Sequence, residues 1–85
     1  MAAYKVLFRK SVEKDLSGIP KKDVKRILNH IKILEGNPHP KDCEKLTEQE
    51  RYRLRQGRYR IVYSIQDKEL IIWIVTVGHR KHIYR

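Results

Sequence analysis

The first half of the chain has the hydrophobic pattern of one strand followed by two helices. Residues 4–9 are rich in β-branched and aromatic side chains, which is typical of a strand. Ser11 is a residue type that caps helices, and we expect a short helix to begin there. Pro20 suits the first position of a second helix. The face of this second helix that is expected to pack on the core carries apolar residues at helical spacing: Val24, Ile27, Leu28, Ile31 and Leu34.

A loop then separates the helical half from a segment with a period of two. Gly36 is a stop signal for the second helix, and we expect a loop over residues 38–50. After the loop, polar and apolar residues alternate, so that Tyr52 and Leu54 point to one side of a strand. The opposite side of that strand is predicted to carry only arginines: Arg51, Arg53 and Arg55.

Two further strands complete the predicted sheet. The dipeptide Gln56-Gly57 predicts a tight turn, after which residues 59–65 alternate again. A second turn at residues 67–68 leads into residues 70–77, which are apolar on both faces and therefore typical of a central strand. The predicted fold is α+β with the order β-α-α-β-β-β. Two N-terminal helices pack on one face of a mainly antiparallel four-stranded sheet, and the arginines occupy the open face. Residues 1–85 are expected to form a single domain.

The charge of the chain is strongly positive and unevenly distributed. With 20 Lys plus Arg against 10 Asp plus Glu, the 85 residues carry a formal net charge of +10, which attracts nucleic acid, an acidic protein or an anionic surface. Residues 51–85 contribute +7 and residues 1–50 only +3. The longest apolar run, residues 70–75, is far shorter than the roughly 20 residues of a membrane span, and no export signal is recognisable. We therefore expect a cytoplasmic protein without membrane contact.

Arginine dominates the part of the chain that carries this excess charge. Residues 51–60 contain five Arg and no Lys, and the guanidinium group is the donor that meets phosphate in a flat, bidentate geometry. Arg53, Arg55 and Arg60 are expected on adjacent strands, beside a tail over residues 78–85 that adds imidazole and phenol groups. This combination suits phosphate chemistry on RNA. The plainer interpretation is a sheet face that is simply polar and wet.

Other chemistry is weakly indicated. His79 and His82 lack further ligands at a suitable spacing, so we predict no metal site and no cofactor. Cys43 is the single cysteine, which agrees with a reducing compartment, and we interpret it as an incidental thiol. Trp73 and three tyrosines are expected mainly in the core, although one of the four could stack on a base. The three tyrosines are Tyr52, Tyr59 and Tyr63.

Two segments of the second half resemble a known family. They are Tyr52-Arg53-Leu54-Arg55-Gln56-Gly57-Arg58-Tyr59-Arg60-Ile61-Val62-Tyr63 and Val77-Gly78-His79-Arg80-Lys81-His82-Ile83-Tyr84-Arg85. Both are similar to the RelE/ParE superfamily of toxins from type II toxin–antitoxin systems, and most of all to the RelE-like mRNA interferases. The resemblance implies a ribosome-dependent endoribonuclease that cuts the mRNA codon in the ribosomal A site and so inhibits translation. It also implies an inhibitory acidic antitoxin, RelB-like, encoded beside the toxin.

The resemblance further implies which residues surround the scissile phosphate. In the RelE-like pattern these are Arg53, Arg55, Arg60, Arg80 and Tyr84. RelE has lysines where this chain has Arg53 and Arg55, and because arginine stays protonated, the identity of the general base is left open. The YoeB branch implies a glutamate before a leucine, here Glu44, together with a terminal His82 and Tyr84. The remaining basic residues of the region are expected to bind RNA: Arg51, Arg58, His79, Lys81 and Arg85.

Two other functions are compatible with the same residues. One is a ParE-like inhibitor of DNA gyrase, which would act by binding rather than by cutting RNA. The other is a nucleic-acid-binding module without catalysis, for which the basic sheet suffices. The arginine, histidine and tyrosine of the tail favour the nuclease.

Overall fold

Five strands form one mixed sheet, and two helices lie between the first and second strands in sequence. The structure, a computed structural model, describes residues 3–46 and 51–81. In chain order its elements are β1 Lys5–Phe8, α1 Lys10–Ser17, α2 Lys21–Ile33, β2 Cys43–Leu46, β3 Arg51–Gln56, β4 Tyr59–Gln66 and β5 Ile71–His79. The strand order across the sheet is β1-β5-β4-β3-β2. β1 runs parallel to β5, and the other neighbouring pairs are antiparallel. The predicted α+β class is confirmed.

The predicted number of strands was too low by one. β2 lies inside the segment expected to be a loop, and it pairs with β3 so that Glu44 lies opposite Arg53. The four residues of β2 contain no β-branched or aromatic side chain, so their local sequence does not indicate a strand. They form one because β3 offers them an open edge.

The core lies between the helices and one face of the sheet. α2 contributes Ile27 and Ile31, which are buried against the strands. The predicted apolar face of α2 was too wide, because Leu28 is 40% exposed. A residue one position further along a helix is rotated by about 100°, which carries Leu28 away from the direction of Ile27. The sheet contributes the remaining buried residues of its core face: Leu54, Ile61, Tyr63, Ile72, Ile74 and Val77.

The start of α1 is set by the sheet and not by a capping side chain. Its N-cap is Arg9, which makes no side-chain capping hydrogen bond, whereas the predicted cap Ser11 lies inside the helix. The amide of Arg9 still bonds to the carbonyl of Ile74 at 3.0 Å, so the chain leaves β1 directly into α1. Pro20 is likewise the N-cap of α2 and not its first helical residue.

The turn between β3 and β4 differs by one residue from the predicted turn. Its two central residues are Gly57 and Arg58, because Gln56 already pairs with Tyr59. Gly57 has φ +57, and Arg58 is not among the residues of positive φ, a combination typical of a type II′ turn. This hairpin places Arg55 directly opposite Arg60. Among the described residues, no helix is long and apolar enough to cross a bilayer.

Candidate functional site

A cationic pocket opens on the sheet face that points away from the helices, where β2, β3 and β4 lie side by side. Its volume is about 290 Å³. Four cationic and two acidic side chains line it together with a thiol: Lys41, Asp42, Cys43, Glu44, Arg53, Arg55 and Arg60. Four of these seven are residues that the sequence singled out for RNA chemistry, namely Glu44, Arg53, Arg55 and Arg60. The sheet register therefore brings these four side chains to one place.

Arg60 is the buried cation of the pocket. Only 6% of the residue is exposed, which corrects for Arg60 the expectation that the arginines lie on an open face, while Arg55 remains exposed. Its Nη1 donates to the carbonyls of Gly57 at 3.1 Å and Tyr59 at 2.9 Å, so the hairpin turn fixes the guanidinium. Its Nε is buried without a hydrogen-bond partner among the described residues. An unpaired buried donor is rare and costs about 1–3 kcal/mol, more if charged.

A second cation lies directly opposite this buried one. Arg55 and Arg60 are register partners on β3 and β4, and both line the pocket. Like charges directly opposite each other in an antiparallel pair destabilise it. The repulsion between the two guanidinium groups falls when an anion occupies the pocket that both of them line. The arrangement is therefore that of a binding site for a negatively charged group.

Glu44 on β2 supplies a negative charge beside the arginines of the pocket. It forms a hydrogen-bonded ion pair with Arg53, its register partner on β3. The hydrogen bond from Arg53, and then the charges of Arg53, Arg55 and Arg60, hold the pKa of Glu44 below its ordinary value. Glu44 is thus an anion at neutral pH, and 57% of its side chain remains exposed to solvent.

The segment before β2 forms a wall of the pocket that sequence reasoning missed. Asp42 from this segment lies 3.5 Å from Nε2 of His30 on α2, and Nδ1 of the same imidazole lies 2.7 Å from Oε1 of Gln56. Further back, the hydroxyl of Tyr63 donates to the carbonyl of Pro38 at 2.9 Å. These contacts connect residues distant in sequence, so no local pattern could have shown that Asp42 and its neighbours line the site.

The other predicted RNA-binding residues lie around the pocket and not in it. Arg51 lies at the start of β3, opposite Ser64 and Leu46. Arg58 occupies the hairpin turn and lines a different pocket, beside Lys22 and Arg26 of α2.

The end of β5 runs close to the hairpin. Gly78 is the register partner of Arg60, and the amide of Arg80 donates to the carbonyl of Arg58 at 2.8 Å. His79 contacts Tyr59 edge to face at 5.9 Å and accepts from the amide of Lys81 at 3.2 Å. Arg80 and Lys81 are exposed. The predicted tail residues His82, Tyr84 and Arg85 lie outside the described residues.

The chemistry available in the pocket is that of holding a phosphate. Two guanidinium groups on facing strands offer planar donors to phosphate oxygens, and a carboxylate lies beside them. Arginine does not release its proton at neutral pH, so the arginines can stabilise charge but cannot act as a general base. Of the two carboxylates that line the pocket, Glu44 is the one that lies against Arg53 and could accept a proton there.

Comparisons with known proteins agree with this fold. Residues 6–84 match the family described as the ParE toxin of type II toxin–antitoxin systems, parDE. The archaeal RelE–RelB complex from Pyrococcus horikoshii contains a chain that is 35% identical, with a TM-score of 0.84; the match covers 94% of this chain and 98% of that one. The RelB–RelE antitoxin–toxin complex from Methanococcus jannaschii gives 32% identity and a TM-score of 0.76 over 92% of this chain and 94% of the other.

A more distant structure shares the fold. It belongs to the RelBE2 toxin–antitoxin complex of Mycobacterium tuberculosis, with 24% identity and a TM-score of 0.82, and it covers 93% of this chain and 100% of its own. The extent of these matches defines a class of small toxins with a common sheet and helix arrangement. The chain belongs to the RelE/ParE superfamily of type II toxin–antitoxin toxins.

Proposed function

We propose that the chain is a ribosome-dependent endoribonuclease that cuts mRNA in the ribosomal A site and thereby inhibits translation. The observation that carries this proposal is the pair of opposed arginines in the pocket. Arg60 is buried with an unpaired Nε, and Arg55 faces it across the hairpin. Arrangements that cost stability are concentrated at functional sites, and a phosphate group in the pocket would relieve the repulsion between the two arginines.

In the proposed reaction the 2′-hydroxyl of the mRNA attacks its own phosphate in line. The 2′-oxygen forms a bond to phosphorus, the bond to the 5′-oxygen breaks, and the products end in a 2′,3′-cyclic phosphate and a 5′-hydroxyl. Charge accumulates on the phosphate oxygens in the transition state, where Arg60 and Arg55 would stabilise it. Arg53 would position the strand, since it lies next to Arg55 on the same side of β3.

Two proton transfers accompany this reaction. Glu44 would take the proton of the 2′-hydroxyl, because it is ionised and its exposed side can accept a further hydrogen bond. Its lowered pKa makes it a weak base, so the arginines must supply much of the rate enhancement. Arg80 is proposed as a further residue that stabilises the charge on the phosphate, on the pattern of the toxin family. On the same pattern, His82 or Tyr84 would protonate the 5′-oxygen.

The proposed partners follow from the family and the charge. Two relatives above 30% identity were solved as complexes of RelE with RelB, and we propose a comparable acidic antitoxin for this chain. Its acidic segment would neutralise a protein of net charge +10. The other partners would be the ribosome and mRNA, which would place the toxin in the cytoplasm.

The proposed activity is tested by expressing the chain in cells and mapping mRNA 5′ ends against the reading frame. Cuts in phase with codons are expected, and they should disappear in Arg60→Ala and Tyr84→Ala. Arg26→Ala is the control, since Arg26 is an exposed arginine on α2 outside the cationic pocket. Unchanged cutting by both site variants would show that the site is wrong.

Inhibition of DNA gyrase is a second candidate, because the matching family carries the ParE name. It would act by surface binding and would give no purpose to a buried arginine with an unpaired Nε. A supercoiling assay with purified gyrase separates the two. Inhibition of gyrase without A-site cuts would replace the nuclease proposal.

A further inference from the structure

A second pocket lies on the same face of the sheet, toward the β1 edge. Its volume is about 680 Å³, and its lining combines aromatic, hydroxyl, amide and cationic side chains: Phe8, Arg9, Lys10, Ser11, Ser64, Gln66 and Trp73. None of these seven described residues is acidic. Trp73 is half-buried, and Phe8 is 42% exposed although it is a large apolar side chain. The surface therefore offers the indole ring of Trp73 and positive charge together.

The sheet register connects this second pocket with the cationic pocket. Ile72 and Ile74 point into the core, so alternation along β5 puts Trp73 on the opposite face. Trp73 pairs with Ser64 on β4, and Ser64 pairs with Arg51 on β3.

The two pockets are close enough to hold one strand. Ser64 is four positions along β4 from Arg60, which corresponds to roughly 13 Å, and the neighbouring strand adds about 5 Å sideways. A single strand of RNA that reaches Arg60 can therefore extend across the same face to Trp73. Arg51 on β3 lies at the other end of the row that ends at Trp73, with Ser64 between them.

We propose that the pocket around Trp73 binds a nucleobase of the single-stranded RNA whose phosphate enters the cationic pocket. The indole would stack on the base, as aromatic side chains do in proteins that hold single strands. Ser64 and Gln66 present a hydroxyl and an amide to the base edge, while Arg9 and Lys10 face the flanking phosphates. This inference rests on the proposed function, since it specifies how the same substrate is held.

Charge favours RNA over an apolar protein segment as the occupant. A groove for the apolar face of a partner helix needs few polar groups on its floor, whereas here two cations, two hydroxyls and an amide line the pocket. An acidic segment of the antitoxin would meet the same cations but would make no use of an aromatic stacking surface. Its binding is therefore the competing outcome of the experiment.

Trp73 gives a direct readout because it is the only tryptophan of the 85 residues. Its intrinsic fluorescence is followed while a single-stranded 2′-O-methyl oligoribonucleotide of about six nucleotides, which cannot be cut, is added to the purified full-length chain. Stacking is expected to quench the indole emission with saturation. An abasic oligonucleotide of the same length and inorganic polyphosphate should bind through charge and leave the emission nearly unchanged.

Affinity in two variants completes the test, measured by anisotropy of a labelled oligonucleotide. Trp73→Ala is expected to weaken binding roughly 5- to 100-fold, and Trp73→Phe, which keeps an aromatic ring, should recover most of the loss. Circular dichroism checks that both variants fold. Equal quenching by the abasic strand and by polyphosphate, or full affinity in Trp73→Ala, would overturn the proposal.

The outcomes separate this proposal from the proposed activity. Base-dependent quenching by a protein that never cuts mRNA would support the stacking site and contradict the proposed ribonuclease activity. In-frame cutting without base-dependent quenching would support the ribonuclease activity and contradict the stacking site. Quenching by an acidic peptide but not by the oligonucleotide would assign the pocket to the antitoxin and contradict the RNA proposal.

Discussion

Replacing Arg60 by methionine separates the function of this residue from its structural cost. Methionine keeps a long, flexible side chain but removes the charge, the unpaired Nε and the like-charge contact with Arg55. Removing the unpaired donor should raise the free energy of unfolding by about 1–3 kcal/mol, and removing the like-charge contact by up to about 1 kcal/mol. The two hydrogen bonds to the carbonyls of Gly57 and Tyr59 are lost, at about 1.5–3 kcal/mol each before water replaces them at the exposed turn.

Water that replaces these two hydrogen bonds recovers much of the loss, so the remaining contributions largely oppose one another in the free energy of unfolding. We expect Arg60→Met to change it by less than about 2 kcal/mol, with 1 kcal/mol corresponding to roughly 4–8 °C in Tm for a domain of this size. The loss of a positioned charge donor should lower the rate of mRNA cleavage by about 10²–10³. Thermal unfolding and single-turnover cleavage on programmed ribosomes give the two quantities.

The control for this experiment is Arg26→Met, which removes an exposed arginine from α2 with the same change of side chain. Both its Tm and its cleavage rate should remain close to those of the unchanged chain. Destabilisation of Arg60→Met by 3–5 kcal/mol, the size seen when a buried ion pair loses one partner, would show that the guanidinium supports the fold. Full cleavage activity would show that it does not stabilise the transition state.

Four further substitutions test the site and the core. Glu44→Gln should lower Tm at neutral pH, because the ion pair with Arg53 is present only while the carboxylate is charged. The difference in Tm should vanish as pH falls through the lowered pKa of Glu44. A difference that persists in acid would refute this. Tyr63→Phe leaves the carbonyl of Pro38 without its donor and should lower the free energy of unfolding, measured by denaturant titration, by about 1 kcal/mol. No change would mean that water replaces the hydroxyl. Ile27→Ala should lower the free energy of unfolding by about 2–5 kcal/mol and Leu28→Ala by far less, because Ile27 is buried and Leu28 is 40% exposed. Equal losses would contradict this prediction.

The sequence was a good guide wherever local pattern decides the structure. The alternation after residue 51 correctly indicated that Leu54 would be buried and that the arginines of β3 would share the other face. The apolar run of β5 correctly indicated an interior strand, since β5 lies between β1 and β4.

Features that depend on long-range pairing could not be predicted in this way. β2 forms only because β3 provides its edge, so the position of Glu44 opposite Arg53 followed from no pattern in its own four residues. The burial of Arg60 is a second example, because alternation assigns a side chain to a face but does not show how deeply that face is covered. The contact of His30 with Asp42 joins a helix to a distant loop in the same way.

Ribosome-dependent cleavage is measured most directly on purified ribosomes that carry a defined mRNA with a known codon in the A site. The full chain should cut within that codon, leave a 2′,3′-cyclic phosphate, and move its cut by three nucleotides when the ribosome is advanced by one codon. Arg60→Met should bind these ribosomes and cut far more slowly. A folded chain that leaves the mRNA intact at every codon, or cuts it equally without ribosomes, would contradict ribosome-dependent cleavage by this site.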